Sequence, residues 1–154
     1  INRIVQKRSP PMASAPLLIE SLDFCDLYAL REENDWKRAA GVLIDSARRL
    51  EAAGAEGLII GANSMHRLYD EVAAAVGIPI LHIAEYVGLA MKRAGVSSAA
   101  LLGTRNVMTE SFYRKRLVAH GIDLLPPNLE YVAMLDRIIY QELMVGKVTR
   151  EAER

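Results

Sequence analysis

The stretch Leu58-Ile59-Ile60-Gly61-Ala62-Asn63-Ser64-Met65-His66 decides how the rest of the chain is read. An apolar run ends abruptly in small and polar residues, and a helix-like pattern begins at about Met65. Such a run reads as a buried strand of a parallel sheet that enters a helix through a short turn. Asn63 and Ser64 then stand at the carboxyl end of the strand, facing the first turn of a helix. Open α/β folds bind ligands at that place, and a helix N-terminus favours anions.

Working outward, the same strand-then-helix pattern recurs. Leu17 to Leu22 reads as a strand after the Ser9-Pro10-Pro11 loop. Asn34 or Asp35 can cap a long helix that ends near Ala53, with Gly54 as its stop. Gly57 to Gly61 is a strand and Met65 to Val76 a helix. Ile80 to Ile83 follows as a strand, and Glu85 to Ala94 as a helix. Ser98 to Gly103 is the next strand, Thr109 to His120 a helix, and Ile122 to Leu125 a strand. Pro126-Pro127 precedes a last helix from about Leu129 to Val145. Alternation of this kind implies a parallel sheet covered by helices. A faint repeat joins Arg49 to Gly61 with Lys92 to Gly103, about 41 residues further on. Each is a helix, a glycine stop, a strand and a glycine followed by small polar residues. Any two consecutive αβ units share that pattern; the alternative is a pair of related half-sites facing one another.

Composition narrows the function. At 154 residues and 51% hydrophobic, the chain can bury a real core. Lys+Arg and Asp+Glu are 19 each, so nothing favours capture of nucleic acid or an anionic membrane. No apolar stretch approaches the roughly 20 residues that span a bilayer. The single cysteine, Cys25, excludes an intrachain disulfide and fits a cytoplasmic setting. The chain opens at Ile1 in a helix-like stretch and stops at Arg154 in another, so sequence is expected on both sides.

Several side chains are candidates for chemistry. The amide of Asn63 and the hydroxyl of Ser64 can hold a carboxylate, or Ser64 can simply cap the helix that follows. Gly103-Thr104-Arg105-Asn106 is the matching loop, where Thr104 can donate to a ligand carboxylate and Thr109 can cap a helix. His66 can face a ligand from the first turn of its helix. No second His, Cys or acidic residue stands at metal-ligand spacing, so no metal is expected. His82 and Glu85 read as a strand-end residue and a first-turn acid that complements the helix dipole. His120 reads as a helix-end residue bonding free carbonyls. Cys25 follows a strand and is reactive only if a positive group lowers its pKa. Arg31 reads as a solvated residue in the acidic helix start at Glu32 and Glu33, with a bidentate grip on a distal carboxylate as the alternative. Arg48-Arg49 and Arg114-Lys115-Arg116 read as solvated helix faces with buried stems.

The loop Asn63-Ser64-Met65-His66 resembles the first active-site loop of the aspartate/glutamate racemase family, a strand followed by Cys-Asn-Thr-x-His or Cys-Thr-Asn-Thr-Met-His. Further pieces fit that resemblance: Ser21-Leu22-Asp23-Phe24, Ala53 to Gly57, Ile78 to Ile83, Ala100 to Thr104, and Phe112-Tyr113. The resemblance implies two Rossmann-like α/β lobes with parallel sheets, related by pseudo-two-fold symmetry and closing over one amino acid. Residues 1-94 would form the first lobe, lacking its glycine-rich first strand, and 95-154 the start of the second. It implies catalysis without pyridoxal phosphate or metal, by two cysteines on opposite faces of Cα, in a cytoplasmic homodimer. Gly61 stands where the first of those cysteines belongs. The second would lie in a Gly-Cys-Thr-Glu loop beyond Arg154. Asn63, Ser64, Thr104 and Thr149 map onto substrate-binding positions. Three readings follow: an amino-acid racemase with chemistry altered by Gly61; a one-base enzyme similar to the arylmalonate decarboxylases, which carry glycine on this side; and a non-catalytic binder of small dicarboxylates or amino acids.

Overall fold

The computed structural model describes residues 1–149. Helix α1 (Asn2–Gln6) leads through turns at Lys7-Arg8 and Pro11-Met12 into a segment without regular structure, then α2 (Phe24–Glu32) and α3 (Trp36–Ala52). Strand β1 (Leu58–Ile59) is followed by a 3-10 segment (Ser64–Leu68), α4 (Tyr69–Ala73), β2 (Ile80–Leu81) and α5 (Ile83–Arg93). Then come β3 (Ser98–Ala99), α6 (Arg105–Thr109), α7 (Ser111–Ala119), β4 (Asp123–Leu124), α8 (Leu129–Gln141) and a 3-10 turn (Leu143–Val145).

The architecture is α/β with two small parallel sheets. β1 pairs with β2, Leu58 opposite Ile80, and β3 pairs with β4, Ser98 opposite Asp123. Each pair is joined by a helical crossover, as parallel strands require. The faint repeat is visible in three dimensions. α3 and α5 end in Gly54 (φ +93°) and Gly95 (φ +70°), left-handed stops that a side chain would strain. A strand follows each.

Two clusters of buried side chains hold these units. The first joins Leu27, Leu30, Ala39, Leu43, Leu58, Leu68, Val72 and Ile80. The second joins Ala84, Val107, Tyr113, Leu117, Ile122 and Leu124, with Val87 and Met91 packed on it. Burying a leucine or valine fully is worth about 1.5–3 kcal/mol, so each cluster is a substantial anchor. α5 packs on α7 and belongs to the second cluster, although it precedes residue 95. The cores therefore divide at about His82.

Several expectations need correction. Leu17 to Leu22 joins no sheet: it has no regular structure, with Ile19 83% exposed, because no strand among the described residues lies beside it. Glu20 instead pairs with Arg49 of α3 (Nε–Oε1 3.0 Å). Phe24–Glu32 is a helix, capped by Asp23 accepting from the Cys25 amide at 2.8 Å. Glu32 and Glu33 are thus a helix end. Asn34 turns the chain at φ +57°, and Asp35 caps α3 by accepting from Arg38 N–H at 3.1 Å. Two long helices are broken and one starts later than expected. Met65 to Val76 divides into a 3-10 turn and α4; the helix expected over Thr109 to His120 starts only at Ser111, as α7, because Thr109 ends a separate α6 and Glu110 is extended. Leu129 to Val145 breaks at Glu142 (φ −123°, ψ −68°).

Candidate functional site

The first loop leaves β1 and places Gly61 and Asn63 at the surface, with Ser64 half-buried. Asn63 occupies the N-cap position of the 3-10 segment in helical conformation and makes no side-chain cap bond. Ser64 lies inside the segment, one residue past the cap, so plain capping does not use up these side chains. A β-carbon added at Gly61 meets nothing within 4 Å, and its backbone is not in the left-handed region. The chain conformation therefore does not demand glycine there.

Beneath the loop lies a histidine pair. His66 is 1% exposed and turns inward, away from any ligand position, which corrects the expectation of a ligand-facing ring. Its Nδ1 lies 2.9 Å from the Ala62 carbonyl oxygen, and its Nε2 accepts from the Ile83 amide at 3.2 Å. A carbonyl can only accept, so Nδ1 carries the proton. His82 is the N-cap of α5, its Nδ1 accepting from the Ala84 amide at 3.2 Å. The two rings meet edge to face at 4.5 Å, with Tyr69 against His82 at 4.8 Å. Burial pushes both imidazoles toward neutrality, helped by the Arg116 charge; His82 is pushed down to about 3. Both are neutral at physiological pH.

Glu85 takes its expected place in the first turn of α5 and also binds His120 (Nε2–Oε1 2.9 Å). His120 was expected to bond free carbonyls; its ring bonds this carboxylate instead. Arg116 reaches Glu85 (3.7 Å) and Asp70 (3.8 Å) and lies over the Tyr69 ring. Arg114 is half-buried, donating to the Leu124 carbonyl at 3.4 Å. The stems are covered as expected, but the guanidinium groups are paired and not left to solvent, since α7 packs between α5, β4 and the 3-10 segment. Arg48 donates to the Ala75 carbonyl at 3.3 Å.

The second loop is built differently. Thr104 is the N-cap of α6 yet makes no cap bond, and its hydroxyl oxygen is fully buried beside the Tyr140 phenol, with no partner at ordinary hydrogen-bond distance among the described residues. Asp136 of α8 caps instead, its Oδ1 accepting from the Arg105 amide at 2.7 Å. The other oxygen of Asp136 pairs with Arg31 at 3.4 Å. Arg31 also donates to Asn106 Oδ1 at 3.3 Å and stacks 4.3 Å from the centre of the Tyr140 ring. Its side chain is 10% exposed, so Arg31 is an inter-helix tie and not a solvated residue. It sits in the last turn of α2, where a cation complements the helix dipole. Burial raises the Tyr140 pKa.

Other expected site residues lie elsewhere. Thr109 does not cap a following helix; its hydroxyl donates back to the Arg105 carbonyl at 2.8 Å. Thr149 donates to Glu142 Oε2 at 2.6 Å. Cys25 is exposed in the first turn of α2. Sequence reasoning missed Asp136, Tyr140 and Arg67, none of which carries a local signal. Arg67 stacks 4.3 Å from the Trp36 ring centre and pairs with Glu110. That pair lines an open cleft of about 600 Å³ with Glu71, Ser111 and Phe112, between the first loop's helical segment and the start of α7. Among the described residues, no three of His, Cys, Asp and Glu gather to hold a metal, and no helix is long and apolar enough to cross a membrane.

The model of the Asp/Glu/hydantoin racemase family matches residues 1–154. The chain belongs to this family. It is 23% identical to the broad specificity amino-acid racemase RacX of Bacillus subtilis (strain 168), over 75% of this chain and 60% of that protein. Among solved structures, a candidate Asp/Glu racemase from Yersinia pestis matches with a TM-score of 0.86 and 36% identity. That match covers 98% of this chain and 66% of the other. An aspartate racemase homologue from Pyrococcus horikoshii OT3 matches with a TM-score of 0.76 and 32% identity, covering 94% and 63%. The chain thus spans somewhat under two thirds of the length of these racemase-family relatives. Its two parallel strand pairs belong to the racemase fold.

Proposed function

We propose that this protein is a cofactor-independent amino-acid racemase that moves a proton at Cα of an acidic amino acid, aspartate or glutamate. The observation that carries this reading is the Gly61–Ser64 loop. At the carboxyl end of a parallel strand, in a chain of the racemase family, it leaves the Asn63 amide at the surface and not spent on the helix cap. A Cα proton beside a carboxylate is very weakly acidic, so a site that removes it needs fixed donors for the developing charge. Asn63, Ser64 and the N–H groups of this loop are donors of that kind. Inversion further needs a base on each face of Cα. Gly61 offers none on its face, so the chemistry rests on a base supplied elsewhere in the protein.

A second reading is favoured by Gly61 itself. Its backbone would accept a side chain, so glycine there is not a conformational necessity. A site with one base suits protonation of an enediolate from one face, as in a decarboxylase, and does not invert a centre.

The full-length protein incubated with L- and D-aspartate and glutamate in D2O distinguishes these. Loss of the Cα–H signal by proton NMR, with inversion by chiral chromatography, is the expected result. Exchange with retention moves the assignment to the one-base enzyme. No exchange with any of the four overturns the racemase proposal and leaves a binder of small carboxylates.

A further inference from the structure

The buried face of the first loop shows what holds its donors in place. We propose that His66 is a positioning residue: in its neutral form with the proton on Nδ1, it sets the direction of the Asn63 backbone N–H. The proposal deepens the reading of the loop as a carboxylate site and rests on it. Nδ1 donates to the Ala62 carbonyl at 2.9 Å, while Nε2 accepts from the Ile83 amide at 3.2 Å. One side chain therefore ties the loop after β1 to the first residue of α5.

Of the three states an imidazole can adopt, only one makes both bonds. The Nε2–H tautomer would set a lone pair against the Ala62 oxygen and an N–H against the Ile83 N–H. The imidazolium would keep the first bond and lose the second. The surroundings select the neutral ring. His66 is buried against His82, which is itself neutral and committed to the Ala84 amide. Tyr69 packs on His82 and donates to the Ile80 carbonyl at 3.0 Å. The cation of Arg116 lies over Tyr69, and the carboxylates facing this cluster, Asp70 and Glu85, are paired with Arg116, Glu85 also with His120.

The consequence follows from the planarity of the peptide. The Ala62 C=O and the Asn63 N–H belong to one trans peptide unit, so they point in opposite directions. Drawing the carbonyl inward onto His66 turns the Asn63 N–H outward, toward the exposed side of the loop. No backbone carbonyl among the described residues accepts from that N–H. His66 thus touches no ligand and acts through the peptide it holds.

The test compares His66→Leu with His66→Asn in the full-length protein. Asparagine keeps an N–H at the δ position and can still hold the Ala62 carbonyl; leucine cannot. Calorimetric titration with L-aspartate, L-glutamate and their D-forms is expected to show His66→Leu weakened about tenfold or more. His66→Asn is expected to bind within a few-fold of the parent, with all three giving the same circular dichroism. Two-dimensional 15N spectra of the parent are expected to show Nδ1 protonated and Nε2 bare. An Nε2–H tautomer or an imidazolium at neutral pH overturns the proposal, as does equal weakening of the two variants or unchanged binding by His66→Leu. Should the parent bind none of the four amino acids, the carboxylate-site reading falls. The role of His66 is then judged on the tautomer and on amide exchange at Asn63 and Ile83. Exchange must quicken in His66→Leu; unaltered exchange there, or quickening to the same extent in His66→Asn, overturns it.

Discussion

The two strand-end loops of this chain start from the same local pattern and are fixed by opposite means. The loop after β1 is secured from below by one neutral imidazole, which leaves Gly61 and Asn63 at the surface. The loop after β3 is secured from the side by charge: Asp136 caps α6, and Arg31 holds Asp136. In the first, the Asn63 side chain is not spent on the helix cap; in the second, the Thr104 hydroxyl is buried beside Tyr140. A common αβ unit therefore does not guarantee a common site. What packs against each loop decides which groups a ligand can reach.

The charge-held loop is the place to break first. Arg31 and Asp136 are 10% and 17% exposed, so Asp136→Leu removes one of the two carboxylates of a mostly buried guanidinium, which keeps Glu32 at 2.8 Å, and leaves α6 uncapped. A loss of about 2–4 kcal/mol in urea unfolding is expected from the lost cap and charged hydrogen bond. Asp136→Asn keeps an acceptor for the Arg105 amide and should lose less than half of that.

The histidine-held loop should show its character in acid. His82 is pushed down to about 3 in the folded chain, while the unfolded ring titrates near its ordinary value of 6.5. The folded state therefore binds fewer protons between those values. Stability is fully present above pH 6.5 and falls as the pH is lowered toward 3, by roughly 3 kcal/mol at pH 4 from this ring alone. His82→Asn retains a strong N-cap and removes the titration, so its unfolding free energy should depend less on pH across that window. Parallel pH profiles for the two proteins contradict this assignment.

Smaller effects sharpen the contrast. A β-carbon at Gly88 of α5 collides with the His120 ring, so Gly88→Ala should cost about 1–2 kcal/mol by thermal unfolding. Removing the ring as well, in Gly88→Ala/His120→Ala, should recover part of that loss. Gly61→Ala, with open space and an ordinary backbone, should change stability by less than about 0.5 kcal/mol.

The sequence carried the features that are locally determined. Asp35 as a cap, Gly54 and Gly95 as stops, and the strand before Gly61 all depend on a few adjacent residues, and all were legible. Features that depend on distant partners were not. Helix α2 buries only Leu27 and Leu30, and the contacts that hold its last turn come from Asp136 and Tyr140, more than 100 residues away. Leu17 to Leu22 has strand-forming residues but no neighbouring strand. The placement of Asn63 and Ser64 at the end of a strand was readable; the inward turn of His66 was not, because the 3-10 start rotates its side chain off the position an α-helix would give. The burial of Thr104 comes from α8, which no motif near residue 104 announces.

The view that the β1 loop is a prebuilt racemase half-site lacking only its base is tested most directly by returning a thiol to it. Gly61→Cys and Gly61→Ala in the full-length protein would be compared with the parent for deuterium exchange and inversion at Cα of aspartate and glutamate. A gain of tenfold or more for cysteine, and none for alanine, is the expected result. Cysteine and alanine variants that exchange at the same rate would contradict it.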